Sequence, residues 1–145
     1  MIRKAVGEQD ARSAAKLACM LWESHEFDEM TEEMHGFIAD KESAVFLAFE
    51  KEEAVGFAQC ALRRDYVEGT NSSPVGYLEG IFVTESHRRR GYAKLLLAAC
   101  QVWAKEKGCR EFASDCELVN EESLRFHLKM GFEEANRIIC FTKQL

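Results

Sequence analysis

LEGIFVTESHRRRGYAKLLLAA, residues Leu78 to Ala99, is the stretch around which the rest of the chain is arranged. An apolar strand (Leu78, Ile81, Phe82, Val83) runs into a polar bend from Thr84 to Arg88, and then into Arg89, Arg90, Gly91 and Ala93. A helix begins there, with Leu95, Leu96, Ala99 and Val102 expected on its inward face. The first turn of a helix has unpaired backbone N–H groups, and its dipole favours negative charge. Gly91 lets the backbone pass close to an anion, and Ala93 keeps the next turn free of bulk. Strand, basic turn and helix together make a cradle for a phosphate.

Upstream, Ile2 to Val6 reads as a short strand. Glu8 to Trp22 carries Ala11, Ala14, Ala15, Ala18, Leu21 and Trp22 at helical spacing. A second helix is expected from about Asp28 to Ala39, with Met30, Met34, Phe37 and Ile38 on one face and Gly36 weakening it. Ser43–Glu50 and Ala54–Arg63 flank the turn Lys51–Glu53 as a hairpin. Asp65 to Pro74 (DYVEGTNSSP) is an exposed loop. Downstream, Gly108 ends the central helix, Glu111–Cys116 is a strand, and Asn120 caps a helix from Glu121 to Met130. Phe132–Lys143 is expected as a final strand. The order is β-α-α-β-β-β-α-β-α-β, an α/β fold with one mixed central sheet and helices on both faces.

The 145 residues suit a single domain spanning 1–145. Hydrophobic residues at 47% with 30% charged are those of an ordinary globular protein, and charge interrupts every apolar run well before membrane-spanning length. The net charge of −6 argues against nucleic acid, whose binding needs many phosphate contacts, and suits a cationic partner. None of the six cysteines forms a C-x-x-C pair, and the four histidines are not spaced as zinc ligands, so no metal is expected. Buried reduced thiols and the lack of an apolar leader in MIRKAVGEQD point to the cytoplasm.

The basic turn is neither a Walker loop nor G-x-G-x-x-G. Its pattern R-x-x-G-x-A (Arg88, Gly91, Ala93), placed between strand and helix, resembles that of the GNAT superfamily of N-acetyltransferases. That resemblance implies a GNAT fold and acetyl-CoA as co-substrate. It implies that Ile81, Phe82 and Val83, with Arg89, Arg90, Gly91, Tyr92, Ala93 and Lys94, hold the coenzyme. A second segment, Asn120, Ser123 and Phe126 to Phe132, is similar to the family's second motif, in which an asparagine lies beside the pantetheine; here that is Asn120. Where the family pattern F-Y-x-x-x-G-F has its tyrosine, this chain has His127, either a proton donor or a packing residue.

Acetyl transfer from a thioester to an amine requires the reactants to be held together, the amine to be unprotonated and the developing oxyanion to be met by donors. Backbone N–H groups around Ile81 to Val83 can meet that oxygen, with the pantetheine beside a strand that splays from its neighbour. Glu79 and Asp115 are strand carboxylates beside apolar residues, read as binding the acceptor and sharing the base role. Solvent-facing acids are the plainer alternative. From Leu17 to Asp40 there are seven carboxylates and no Lys or Arg, beside Trp22 and His25, a setting for a polycation with an apolar ring skeleton.

The segments SSPVGYLEGIFV, EFASD, LWESHE and YVEGT resemble the aminoglycoside 6'-N-acetyltransferase branch of the superfamily. The resemblance implies antibiotic resistance through acetylation of the 6'-amine. It also implies drug contacts at Trp22, His25, Tyr66, Glu79 and Asp115, and a homodimer in which Tyr66 serves the partner's site. Asn136 stands where related enzymes bring an acid to the substrate. A polyamine acetyltransferase and a non-catalytic coenzyme-binding sensor remain as alternatives.

Overall fold

The computed structural model describes all 145 residues. β1 (Ile2–Lys4), α1 (Gly7–Leu21), α2 (Phe27–Ala39), β2 (Ser43–Glu50), β3 (Glu53–Arg63), β4 (Val75–Val83), α3 (Tyr92–Glu106), β5 (Phe112–Ala113) and α4 (Glu121–Lys129) succeed one another along the chain. The sheet runs β1-β2-β3-β4-β5, antiparallel through β4 and parallel between β4 and β5. The α/β architecture with helices on both faces is the one read from the sequence. No helix is long and apolar enough to cross a membrane.

Period-two alternation along β2 sorts its side chains between two cores. Val45 and Leu47 face α1 and α2, packing with Ala11, Ala14, Ala15, Ala18, Met30, Met34 and Phe57. Ala44, Phe46 and Ala48 face α3, with Val55, Cys60, Leu96, Cys100 and Trp103. Both faces are covered, which is why the strand reads as a continuous apolar run. The α1 alanines let that helix lie close to the sheet. Its start is tied down by buried Asp10, which accepts from the Val6 N–H at 2.8 Å and from both ends of the Arg3 guanidinium at 2.5 and 2.9 Å. The Arg3 guanidinium and the backbone bond hold the Asp10 carboxyl below its ordinary range.

Four expectations are corrected. On α3 the buried stripe is Leu96, Leu97, Cys100, Trp103 and Ala104, whereas Leu95 and Val102 are 53% and 56% exposed. The helix is apolar over more than one face, and the side carrying the bulky Trp103 turns to the sheet. The strand expected over Glu111–Cys116 contracts to Phe112–Ala113, because only Gly76 and Tyr77 of β4 pair with it. Phe132–Lys143 forms no strand: Ile138, Ile139 and Phe141 are 67%, 81% and 87% exposed, with no neighbouring strand within the chain to receive them. Among the thiols, Cys60, Cys100 and Cys109 are buried, but Cys116 and Cys140 lie at the surface.

Two irregularities of β4 set the shape of the sheet around it. Gln59 pairs with Gly80 and Cys60 with Leu78, so Glu79 is the extra residue of a β-bulge. A bulge twists the strand and re-aims the side chain it carries. Beyond Tyr77 the edge of β4 away from β3 has no partner strand, leaving an open slot.

Candidate active site

The slot ends at the start of α3. Gly91 caps that helix at φ 87°, in the left-handed region, and Arg89 before it also has positive φ, at 63°. No side chain caps the helix, and its first internal bond runs from the Leu95 N–H to the Gly91 carbonyl at 3.1 Å. The N–H groups of Tyr92, Ala93 and Lys94 are thus left for an outside acceptor. A Cβ on Gly91 would meet nothing within 4 Å, so the space above the turn is open. Arg88 turns back instead, its Nε donating to the Val83 carbonyl at 2.9 Å, and Arg90 pairs with Glu50 at 3.2 Å. His87 Nε2 lies 2.5 Å from the same Glu50, pinning the turn to the end of β2.

Along β4 the Thr84 N–H bonds to the Val55 carbonyl of β3. Because successive N–H groups of a strand point to opposite edges, those of Val83 and Ile81 point to the open side. Ile81 and Val83 therefore present main-chain N–H groups to the slot, whereas the Phe82 N–H faces β3. At the head of the slot Ser114 Oγ lies 3.4 Å from the Leu78 carbonyl. Behind it stands His127, with Nδ1 at 2.7 Å from the Ser123 carbonyl and Nε2 at 2.8 Å from Ser114 Oγ. A carbonyl only accepts, so Nδ1 carries a proton, and both ring nitrogens are engaged inside the protein. His127 positions Ser114, and it is the serine hydroxyl that reaches the strand junction. Asn120 caps α4, its Oδ1 accepting from the Ser123 N–H at 3.1 Å.

The bulge aims Glu79 into a cluster of cation-binding groups. Arg63 Nη2 sits 2.8 Å from Glu79 Oε1 and 3.1 Å from Oε2, and its Nε is 3.1 Å from Oε1. The guanidinium carbon lies 3.4 Å from the centre of the Tyr77 ring. Tyr77 in turn donates its hydroxyl to Asp115. Burial, then the Asp115 carboxylate, push the Tyr77 hydroxyl far up, so it stays a donor. Trp22 closes the cluster: a Cβ on Gly80 would fall 2.7 Å from its indole, so only glycine lets the ring lie on the strand. The ring is further held edge-on to Phe57 at 6.0 Å.

Of the anticipated acceptor residues, Glu79 and Asp115 are linked through Arg63 and Tyr77, and Trp22 lies on Gly80, the next residue of the strand. His25 stays near Trp22 through its N–H to the Trp22 carbonyl at 3.3 Å, with its side chain exposed. Tyr66 is 75% exposed on the 65–74 loop, and its hydroxyl accepts from the Gly69 N–H at 3.4 Å. Asn136 donates to Glu68 of that loop at 3.2 Å, so tail and loop meet. Neither Tyr66 nor Asn136 bonds to the Glu79 cluster. Arg63, Tyr77 and Ser114 escaped the sequence reading, since each acts through partners 16 to 38 residues away. No group of three or more metal-ligating side chains is clustered.

Comparisons with known proteins find relatives over nearly the whole chain. Aminoglycoside N(6')-acetyltransferase type 1 of Stenotrophomonas maltophilia is 44% identical over 137 residues, covering 94% of this chain and 88% of that protein. The enzyme of the same name from Acinetobacter haemolyticus is 37% identical over 142 residues, covering 98% and 97%. Among solved structures, AAC(6')-Iy in complex with the bisubstrate analogue CoA-S-monomethyl-acetylneamine superimposes with a TM-score of 0.94 at 40% identity, covering 100% of this chain and 98% of that one. The family model described as Acetyltransferase (GNAT) matches residues 12–132, a span that holds the open slot, the cradle at Gly91 and the Glu79 cluster alike. The chain belongs to the GNAT family of acetyltransferases.

Proposed function

We propose that the chain transfers acetyl from acetyl-CoA to the 6'-amine of aminoglycoside antibiotics and so confers resistance. The observation that carries this reading is the cation-binding cluster of Glu79, Tyr77, Asp115 and Trp22, set on the open edge of β4. It stands in a chain similar over nearly its whole length to aminoglycoside N(6')-acetyltransferases.

The residues present fit acetyl-CoA. The N–H groups of Tyr92, Ala93 and Lys94 suit a pyrophosphate, with Arg89 and Arg90 beside them; the slot along Ile81, Phe82 and Val83 suits an extended arm, to which we also assign Asn120, the cap of α4. Bound there, the coenzyme supplies an activated acetyl group. The work of the chain is positional and electrostatic. Glu79 and Asp115 draw the acceptor's ammonium groups, and Trp22 offers an apolar face to a sugar ring. Glu79 takes the proton that the attacking nitrogen must lose, directly or through water. The Ile81 and Val83 N–H groups meet the acyl oxygen as charge develops on it. Ser114, oriented by His127, holds the head of the slot.

We further read the enzyme as a cytoplasmic homodimer. Nothing within one chain buries the exposed run of Ile138, Ile139 and Phe141, and a second copy of the same chain is the partner that suits it. Tyr66 and Asn136, displaced from the Glu79 cluster, meet at the loop where such a tail leaves the domain, and we assign both to the acceptor site of the assembled dimer. Removing residues 138–145 should convert a dimer to a monomer in light scattering while far-ultraviolet circular dichroism is retained; a full-length chain that is already monomeric at micromolar concentration overturns the dimer.

The function is tested by coenzyme release with kanamycin, tobramycin and spermidine. Turnover on the two drugs, and far slower turnover on spermidine, is expected. Activity on spermidine alone overturns the assignment.

A further inference from the structure

We propose that Arg63 is a built-in occupant of the acceptor's cation subsite, which the incoming ammonium displaces. The inference rests on the reading of Glu79 as the acceptor carboxylate. In the structure Arg63 already does what a substrate cation would do there. Its guanidinium makes three hydrogen bonds to Glu79 and lies flat against the Tyr77 ring, 3.4 Å from its centre. A carboxylate has about four lone-pair positions, so this fork leaves little of Glu79 for a second donor. The substrate ammonium and Arg63 therefore compete for one site.

The competition is set to be winnable. The paired side chains are 43% and 27% exposed, so the bond is wet and cheap to open. Arg63 is the last residue of β3, and the neighbouring Arg64 is fixed separately by Glu42 at 2.8 Å, so the Arg63 side chain can swing without moving the strand. The Tyr77–Asp115 bond does not involve Arg63 and persists when it leaves. Glu79 thus becomes available as a base only when a cation has replaced Arg63, which couples acceptor arrival to proton removal. An acceptor with one amine must displace Arg63 with that amine alone, whereas a polycation has further ammonium groups to anchor it on Asp115 and on the acidic link around Trp22. Arg63 thereby selects for polyamino sugars over monoamino sugars.

The test is the set wild type, Arg63→Gln, Glu79→Gln and the double variant, with tobramycin and 6-amino-6-deoxyglucose as acceptors and thermal melts as a check on folding. A binding-competent state populated only in part raises the apparent dissociation constant by that fraction. Arg63→Gln should thus lower the acceptor KM by about two- to fivefold, more for the monoamine than for tobramycin, with the acetyl-CoA KM unchanged. Arg63→Lys, which keeps the charge but not the fork, should fall between. In the Glu79→Gln background the Arg63 effect should vanish. An acceptor KM that rises or stays constant in Arg63→Gln overturns the inference and makes Arg63 a positioning residue for Glu79. Unaltered acceptor kinetics in Glu79→Gln would instead overturn the underlying reading of the site, and the inference with it.

Discussion

Replacing Glu79 with alanine should lower kcat/KM for the acceptor by roughly 30- to 150-fold while acetyl-CoA affinity stays within twofold, as steady-state kinetics and calorimetry would show. The figure corresponds to about 2–3 kcal/mol, the low end for truncating one member of a hydrogen-bonded charge pair. The low end applies because the Glu79 side chain is 27% exposed and water replaces part of what is lost. The separation of the two substrates comes from geometry. Glu79 sits on the bulge near the middle of β4, whereas the coenzyme's phosphates belong at the far end of the slot, at Gly91. A loss shared equally between the two substrates would mean that the bulge, and not the carboxylate, carries the effect.

Gly91→Val should produce the converse pattern. At φ 87° the backbone is in a region that costs a non-glycine residue about 1–2 kcal/mol, and more for a β-branched side chain. Nothing within 4 Å would obstruct the new side chain, so the domain still folds, with Tm lower by about 3–6 °C. The side chain would instead stand in the space that the coenzyme's phosphates need, with the helix N–H groups re-aimed. The KM for acetyl-CoA should rise by at least about tenfold, a loss of roughly 1.4 kcal/mol or more. Arg88→Ala should do much less, because that guanidinium is bonded to the Val83 carbonyl and points away from the cradle. If the two variants have equal effects, side-chain charge matters more than main-chain donors.

Local pattern made some of the fold legible in the sequence. The strand, turn and helix from Leu78 to Ala99, the hairpin of β2 and β3, and the Asn120 cap depend on residues a few positions apart, and each stands where the pattern puts it. Glu79 was legible as an anomaly, a carboxylate within an apolar strand. Its partner was not. The pairing with Arg63 depends on strand register, and that register slips by one residue at the bulge, a shift that no period-two pattern announces. Gly80 carries no local signal of its role, which is to admit the Trp22 indole from a different element. The inward face of α3 is not legible for a related reason: several of its faces are apolar, and the sheet alone decides which is buried. The sequence predicts a final strand, and Ile138, Ile139 and Phe141 do have strand-forming character. A strand also needs a neighbour, which one copy of the chain does not provide.

A coenzyme cradled at Gly91 and an amine held at Glu79 should meet at the open edge of β4. The most direct measurement is nuclear magnetic resonance of tobramycin after turnover with carbon-13-labelled acetyl-CoA. A single acetyl group on the 6'-nitrogen, with no product from analogues bearing a 6'-hydroxyl, is the predicted result. Acetylation at another nitrogen, or of the 6'-hydroxyl analogues, would contradict it.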